Sequence, residues 1–114
     1  MKKAVTLKQN RDFHRLYQRG KSAVGPAMVV YCRPNRLGHN RLGITVSTKL
    51  GGAVVRNRAR RRLREVYRLS SPSLRQGYDL VLVARSRAVS GDFWAMMDNF
   101  RRLCRKLELW EEKK

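Results

Sequence analysis

The segment from Ala53 to Ser70 constrains the fold more than any other part of the sequence. It contains no glycine or proline, and from Arg56 to Arg68 it places seven arginines in thirteen positions with a single acidic residue. At about 100° per residue, an apolar stripe falls opposite a basic face, which predicts an amphipathic helix. The stripe consists of Val55, Ala59, Leu63 and Val66, and the opposite face of Asn57, Arg60, Arg61, Arg64 and Arg68.

The density of arginine indicates a polyanionic partner. Like charges spaced four apart, such as Arg56 with Arg60, each disfavour an isolated helix by about 0.2 to 0.5 kcal/mol. The chain also carries a net charge of +19 in 114 residues, although 42% of its residues are hydrophobic. Arginine rather than lysine fits phosphate recognition, because the planar guanidinium binds phosphate oxygens in a bidentate manner. Nucleic acid is therefore the favoured partner.

Two other interpretations of the basic helix are a solvated surface and a membrane-surface helix. The first does not explain the number of arginines, and the second needs a bulky apolar side, whereas this stripe contains small residues. No apolar run approaches the roughly 18 residues of a membrane span. The N-terminus begins like a secretory signal, but Lys8 and Arg11 interrupt it before an apolar core forms. We therefore expect a cytoplasmic protein in which Cys32 and Cys104 are reduced, buried thiols.

The first helix is predicted over residues 6–20. It begins either with a capping box formed by Thr6 and Gln9 or with an N-cap at Asn10, and Gly20 is its expected end. Its apolar face consists of Phe13, Leu16 and Tyr17. An aromatic stripe of this kind is more often core than ligand platform. Together with Tyr31, however, these rings could also stack single-stranded bases over a basic groove, and both interpretations stay open.

Three strands and a last helix complete the predicted order. Alternating residues at 27–33 and 41–47 indicate two strands of an antiparallel hairpin. The continuous apolar run within 78–85 indicates a central strand and fits parallel pairing. Ser90 is the expected N-cap of the last helix, with Asp92 in its first turn. The apolar stripe of that helix consists of Phe93, Met96, Met97, Phe100, Leu103, Cys104 and Leu107. One α+β sandwich of helices on a sheet is the natural packing.

The segment from Ala53 to Glu65 resembles the arginine-rich signature of the bacterial ribonuclease P protein component. The core Arg-Asn-Arg is weak by itself, but flanking motifs in the same order extend the resemblance over roughly residues 7–107. These motifs are Asp12-Phe13 with Tyr17 and Gly20, Val29-Val30-Tyr31, Arg41 through Ser47, Lys49 before Gly51, and Asp79 through Arg85.

The resemblance implies a four-stranded sheet packed with three helices, as in the second domain of ribosomal protein S5. It adds a short first strand near residues 22–24 and a left-handed βαβ crossover, whereas the general rule for such connections is right-handed. Residues 1–114 would form a single RNA-binding domain with frayed ends at about 1–5 and 109–114.

The resemblance also implies the function of a ribonuclease P protein subunit, which assists removal of the 5′ leader from precursor tRNA. The endoribonuclease activity would belong to the ribonucleoprotein, with chemistry carried by the RNA subunit and its Mg²⁺, so neither catalytic residues nor a metal site is expected in this chain. The catalytic RNA would contact Arg56, Asn57, Arg58, Arg60, Arg61, Arg64 and Lys49. The leader groove would contain Phe13, Tyr17, Tyr31, Arg11 and Ser47. The sequence departs from the family pattern at Thr48, Gly52 and Arg62.

Two other functions compete with this one. Composition alone would favour a structural ribosomal or general nucleic-acid-binding protein, and an autonomous protein nuclease is a third hypothesis. The sequence gives little support to the nuclease hypothesis. His14 lies on a basic helix and His39 at a loop tip, and neither belongs to a convincing catalytic triad or carboxylate cluster. We interpret both histidines as surface residues.

Overall fold

A computed structural model of the chain describes residues 5–111, in which helices cover a four-stranded sheet. The strands are β1 Lys21–Val24, β2 Met28–Pro34, β3 Arg41–Thr45 and β4 Tyr78–Ala84. The helices are α1 Asn10–Arg19, α2 Ala53–Ser70, α3 Ser86–Ser90 and α4 Phe93–Lys106, with single 3₁₀ turns at Thr48–Leu50 and Ser71–Ser73. The α+β class and the short first strand are confirmed. The five-residue α3 is an addition that the sequence pattern did not predict.

The strand order in the sheet is β1-β2-β4-β3. β4 pairs with β2 in antiparallel and with β3 in parallel orientation, so β4 lies between them. The predicted hairpin of β2 and β3 is therefore wrong, whereas the predicted central, parallel-paired strand is confirmed. Alternation within a strand reports which face is buried, and it carries no information about which strand is the neighbour. The handedness of the β3-α2-β4 connection stays a prediction.

The two faces of the sheet bury different helices. On one face, Val30 and Leu82 are fully buried in the main core, against the apolar sides of α2 and α4. On the other face, Leu16 of α1 packs with Leu7 and Val81 in a second, smaller cluster. α1 leaves part of this second face uncovered, since Val83 is only partly buried. The molecule thus has a closed face and a partly open face.

The start of α1 differs from the prediction. Residues 5–7 run parallel to β3 at Leu42, where Leu7 N donates to Leu42 O at 2.9 Å and Leu42 N donates to Val5 O at 2.7 Å. Thr6 is therefore extended rather than part of a capping box, and the N-cap residue Gln9 makes no side-chain capping bond. The predicted alternative cap, Asn10, is the first residue of the helix. Pairing with the sheet edge outweighs an early helical start, because it satisfies backbone groups that would otherwise be open.

The described ends of the chain are hydrogen-bonded. Leu109 O accepts from Arg75 N at 2.8 Å, and Glu111 N donates to Ser73 O at 2.7 Å. The remaining residues for which we expect frayed ends, 1–4 and 112–114, lie outside the described residues. The predicted apolar side of α4 is confirmed by four buried residues, Met96, Phe100, Leu103 and Cys104. Its N-cap is Asp92, whose carboxylate accepts from Ala95 N at 3.0 Å. The predicted cap, Ser90, instead ends α3.

Both cysteines are free and buried, as expected. Burial raises the pKa of Cys32 to about 11, although Lys21 opposes the shift, and burial also raises the pKa of Cys104. Both groups are therefore neutral thiols at physiological pH. Within residues 5–111, none of the helices combines the length and apolarity that crossing a membrane requires.

A carboxylate on β4 fixes the register of the central strands. Asp79 accepts from Arg41 Nε at 2.8 Å and from Arg41 Nη2 at 2.7 Å, and it also accepts from Asn35 Nδ2 at 2.9 Å. Burial opposes ionisation of Asp79, but the hydrogen bonds from Arg41 and Asn35 outweigh it and hold its pKa below the usual range. The pair joins β3 to β4 directly, and it therefore opposes a slip of one strand along the other.

Replacing Asp79 with asparagine should lower the free energy of unfolding by about 1 to 2 kcal/mol at pH 7. The pKa of the Asp79 carboxylate is lower in the folded protein than in the unfolded chain, where it is about 3.9. The carboxylate therefore stabilises the fold above about pH 3.9, and this stabilisation is lost as the pH falls through the pKa of the folded state. The difference between wild type and variant should therefore shrink in acid, as measured by urea unfolding at pH 7 and below pH 4. Asp98→Asn is the control: its exposed pairs with Arg101 and Arg102 should contribute less than about 0.5 kcal/mol.

Candidate RNA-binding surface

The turn that leads into α2 is built around two glycines. Gly51 has φ of 146°, and a Cβ there would approach the side chain of Val55 to 2.9 Å. The turn therefore requires glycine at this position. Gly52, the N-cap residue of α2, meets no such obstacle. Just before the turn, Ser47 Oγ accepts from Lys49 N at 3.1 Å, which leaves the exposed Lys49 side chain beside the start of the helix.

The predicted faces of α2 are confirmed. Ala59, Leu63, Val66 and Tyr67 are buried against the sheet, whereas the opposite side is open to solvent. We call the residues of α2 for which an RNA contact is predicted the arginine ridge: Arg56, Asn57, Arg58, Arg60, Arg61 and Arg64. Asn57, Arg58, Arg61 and Arg64 are exposed, while Arg56 and Arg60 are half-buried.

The arginine ridge has a shallow depression of about 510 Å³. Its lining combines the exposed Val54 with Asn57, Arg60, Arg61 and Arg64. Arg60 Nη1 donates to Asn57 Oδ1 at 3.2 Å, which holds one guanidinium along the surface of the helix. The surface therefore presents closely spaced donors that match the oxygens of a phosphate backbone.

Arg68, placed on the basic face by its periodicity, is engaged with an acid. Its guanidinium makes a two-point contact with Glu65, in which Nε donates to Oε2 at 2.9 Å and Nη2 contacts Oε1. The hydrogen bond from Arg68 lowers the pKa of Glu65. Glu65, the single acidic residue between Arg56 and Arg68, thus partners Arg68. The ridge consequently ends about one turn before Arg68.

Arg62, one of the departures from the family pattern, has a structural role. Its Nη1 donates to Val89 O at 2.9 Å, and its Nη2 donates to Gly91 O. These carbonyls lie at the C-terminal end of α3 and directly after it, so a cation there satisfies open acceptors. Arg62 therefore joins α2 to α3, and its guanidinium is directed away from the arginine ridge.

Replacing Arg62 with leucine should lower the free energy of unfolding by about 1 to 2 kcal/mol, because two carbonyls lose a charged donor. The slope of log K against log salt for RNA binding should stay unchanged, since the guanidinium of Arg62 is engaged with the carbonyls of Val89 and Gly91. Chemical denaturation and a salt titration of RNA affinity measure the two effects separately. A smaller salt slope for Arg62→Leu would show that Arg62 belongs to the RNA-binding surface after all.

On the partly open face, Phe13 rests directly on a glycine of the sheet. A Cβ at Gly43 would approach the Phe13 ring to 2.6 Å, so glycine is what allows this close packing. Phe13 also packs against the cluster of Leu7, Leu16 and Val81. Phe13, one of the two aromatic residues on the apolar face of α1, thus belongs to the core, as the more conservative interpretation predicted, and its side chain is only partly exposed.

Tyr17 and Tyr31 form a more accessible pair on the same face. Their ring centroids are 4.9 Å apart at an interplanar angle of 76°, an edge-to-face arrangement. The Tyr17 hydroxyl lies 3.2 Å from Thr45 Oγ1 on β3, which fixes the outer ring over the sheet. Tyr17 is 39% exposed and Tyr31 is half-buried, so this pair offers aromatic surface for stacking. We call Phe13, Tyr17 and Tyr31 the aromatic groove.

The remaining predicted site residues lie around these two surfaces. Arg11 is exposed on α1, and Ser47 follows β3 two residues after Thr45, the partner of Tyr17. Ser47 and Lys49 therefore lie between the aromatic groove and the start of the arginine ridge. His14 and His39 are exposed, as expected. Among residues 5–111, no three His, Cys, Asp or Glu side chains come together in a way that could hold a metal ion.

Comparison with known proteins identifies the family. The family model for ribonuclease P matches residues 1–108. The chain belongs to the ribonuclease P protein family. The ribonuclease P protein component of Caldanaerobacter subterraneus subsp. tengcongensis is 43% identical over 111 residues, which cover 97% of this chain and 96% of that protein. The relative from Natranaerobius thermophilus is also 43% identical, over 98% of this chain and 97% of that protein.

Solved ribonuclease P proteins share the fold. The protein from Staphylococcus aureus superposes with a TM-score of 0.83 at 32% identity, covering 96% of this chain and 100% of that one. The protein from Thermotoga maritima gives a TM-score of 0.75 at 32% identity, covering 83% of this chain and 90% of that one. The fold that the resemblance implied is therefore the fold of the ribonuclease P protein family.

The sequence did not predict two residues that support the candidate surface of this ribonuclease P family member. Gly43 seats Phe13, and Thr45 holds the hydroxyl of Tyr17. A signal for Gly43 was present, because a glycine inside an alternating strand often marks a close approach by another group. Thr45 gave no signal, since its contact with Tyr17 joins positions 28 residues apart.

Proposed function

We propose that this chain is the protein subunit of a ribonuclease P ribonucleoprotein, which removes the 5′ leader of precursor tRNA. The observation that carries the proposal is the separation of two surfaces on one small domain. The arginine ridge presents exposed guanidinium groups along α2, and the aromatic groove presents Tyr17 and Tyr31 on the partly open face of the sheet. The cytoplasm, where precursor tRNA is made, is the compartment in which it would act.

The arginine ridge suits a folded RNA. Its side chains project from one rigid helix that is anchored by buried Ala59, Leu63 and Val66, so their spacing is preorganised. Guanidinium groups bind phosphates without reading sequence, which positions an RNA of fixed shape. The ridge therefore supports assignment of the catalytic RNA subunit to Arg56, Asn57, Arg58, Arg60, Arg61 and Arg64, with Lys49 at its edge.

The aromatic groove suits a single strand of variable sequence. Every base has a π-face, so stacking on Tyr17 and Tyr31 tolerates any base and contributes about 1 to 3 kcal/mol per base. Thr45 fixes the ring of Tyr17, which reduces the freedom lost on binding. This surface supports assignment of the leader to the groove of Phe13, Tyr17 and Tyr31, with Arg11 and Ser47 at its margins.

The family implies a role for Mg²⁺, and the described residues of this chain do not suit its retention. Mg²⁺ prefers carboxylate oxygens, and no cluster of acidic side chains meets the geometric requirement within residues 5–111. We assign the ion to the RNA subunit. The contribution of this chain is then electrostatic: neutralising phosphates of the catalytic RNA and the substrate lowers their mutual repulsion, so less Mg²⁺ should be required.

A reconstituted cleavage assay tests this function. The protein is mixed with its cognate catalytic RNA and 5′-labelled precursor tRNA, and cleavage is followed at low and at high Mg²⁺. We expect a large acceleration at low Mg²⁺ and a smaller one at high Mg²⁺. Unchanged cleavage at low Mg²⁺ would reject the proposal in favour of a general nucleic-acid-binding protein.

An RNA-free reaction tests the nuclease hypothesis. The purified protein is incubated with precursor tRNA and Mg²⁺ in the absence of catalytic RNA. We expect no cleavage, because the exposed His14 and His39 stand apart from any carboxylate cluster in the described part of the chain. Cleavage that follows the protein through successive purification steps would contradict this expectation.

A further inference from the structure

A second groove lies beside the arginine ridge, on the outer edge of β3. Its volume is about 970 Å³, within the range of sites that hold a small ligand. The floor is apolar and contains Leu42, Ile44 and Tyr67. Thr6 lies on one wall, in the extended segment of residues 5–7, and α2 forms the other. Phe13 of the aromatic groove also lines this second groove, together with Gly43 beneath it, whereas Tyr17 and Tyr31 do not.

The edge of β3 offers a free backbone in this groove. Leu42 directs its N–H and C=O outward to residues 5–7, as the bonds to Val5 and Leu7 show. Because a strand alternates in direction, Ile44 also directs its N–H and C=O outward, away from β4. Within residues 5–111 these two groups of Ile44 have no hydrogen-bond partner, since the parallel segment ends beside Leu42. An adjacent donor and acceptor of this kind can pair with the edge of a nucleobase.

The rim of the groove carries the charge that a nucleotide needs. Arg60 and Arg64 lie on the α2 side, at i and i+4 on one face, and both belong to the arginine ridge. Both side chains line the same groove as Ile44, and so does Arg68, which contacts Glu65. A phosphate on the rim and a base on the floor would satisfy both parts of the groove.

We infer that this groove holds one unpaired nucleotide of the catalytic RNA. The phosphate would contact Arg60 and Arg64, the base would lie on the apolar floor, and the base edge would pair with the backbone of Ile44. The inference rests on the proposed function, because the same arginines serve the ridge. The catalytic RNA is favoured over the leader because both cations assigned to the nucleotide, Arg60 and Arg64, belong to the ridge, whereas Tyr17 and Tyr31, the accessible stacking pair assigned to the leader, do not line the groove.

Filling the groove tests the inference without touching an arginine. Thr6 is exposed on the groove wall, so Thr6→Trp would place an indole where the base should lie. The matched control is Ser86→Trp, an exposed hydroxyl residue that follows the opposite end of β4. The equilibrium dissociation constant for catalytic RNA alone is measured at fixed salt and Mg²⁺. We expect Thr6→Trp to weaken binding about tenfold and Ser86→Trp to leave it unchanged.

A second variant guards against a folding defect at position 6. Gln76 is exposed and lines the groove near the start of β4, so Gln76→Trp should weaken binding by a similar factor. Circular dichroism and thermal unfolding establish that each variant is folded. The inference would be overturned if either folded groove variant, Thr6→Trp or Gln76→Trp, bound catalytic RNA as tightly as the control Ser86→Trp does.

Photo-crosslinking identifies the occupant. A benzophenone amino acid at position 6 is irradiated in the assembled holoenzyme with precursor tRNA, and the crosslinked nucleotide is mapped. We expect a crosslink to a single unpaired nucleotide of the catalytic RNA. A crosslink to the leader would overturn the inference, and so would the absence of any crosslink to RNA. In either case the low-Mg²⁺ acceleration by the wild-type protein would still support the proposed function, so the two failures are distinguishable.

Discussion

Replacing Arg61 and Arg64 together with alanine should weaken binding to the catalytic RNA by about 30- to 150-fold at low salt. Each side chain is exposed on the arginine ridge, where it can contact a phosphate. A lost charged contact of this kind costs about 1 to 1.5 kcal/mol, and the two losses should add. Because each phosphate contact contributes about 0.7 to 0.9 to the salt slope, the slope should fall by about 1.4 to 1.8. Affinity measured across a salt series gives both quantities.

The control for this pair is Arg101→Ala with Arg102→Ala. These two arginines are exposed on α4, and both form ion pairs with Asp98. Their removal changes the net charge of the protein by the same amount, but it leaves the arginine ridge intact. We expect the control to retain the wild-type salt slope. A similar loss of affinity and slope in both double variants would mean that total charge, rather than the position of the ridge, determines RNA binding.

The two faces of α2 could be predicted from the sequence because each follows from a local periodicity. The apolar stripe must meet the sheet wherever the helix lies, so Ala59, Leu63 and Val66 are buried as expected. The same applies to β4, whose uninterrupted apolar run requires cover on both faces. Such features depend on neighbours within about one helical turn or one strand, which a single sequence displays directly.

The neighbours of each strand could not be predicted in the same way. The short connection between β2 and β3 favoured a hairpin, yet β4 is inserted between them. The residue that stabilises this arrangement is Asp79, which binds Arg41 from 38 positions away. A pairing between distant charged residues leaves no periodic signal, and each of these residues alone looks like an ordinary surface charge.

The composition of the arginine ridge could be predicted only in part. Helical periodicity includes Arg68 on the basic face, and the structure engages it with Glu65. Conversely, Arg62 looks like one more basic residue, but its donors go to carbonyls at the end of α3, an element that the sequence pattern did not predict. Charge is visible in a sequence, whereas the partner that satisfies it is a tertiary property.

Replacing Tyr31 with alanine should weaken binding of leader-bearing precursor tRNA to the holoenzyme by about tenfold, with little effect on mature tRNA. The ring of Tyr31 packs against the ring of Tyr17 in an edge-to-face contact. Losing Tyr31 therefore removes its own stacking surface and loosens the ring of Tyr17. A contribution of about 1 to 3 kcal/mol per stacked base sets the size of the effect. Paired dissociation constants for precursor and mature tRNA isolate the contribution of the leader.

Tyr17→Ala and Trp94→Ala complete this test. Tyr17 is more exposed than Tyr31, so its removal should reproduce the leader-specific loss with less effect on stability. Trp94 also belongs to an edge-to-face pair, with Phe93 at 5.4 Å, and it is 68% exposed at the start of α4. It belongs to neither the arginine ridge nor the aromatic groove. Its loss should leave both substrates unaffected. If Tyr31→Ala and Tyr17→Ala weakened precursor and mature tRNA equally, or only destabilised the protein, the aromatic pair would be part of the core. The leader would then require another surface, because stacking on these rings is what distinguishes the two substrates in this arrangement.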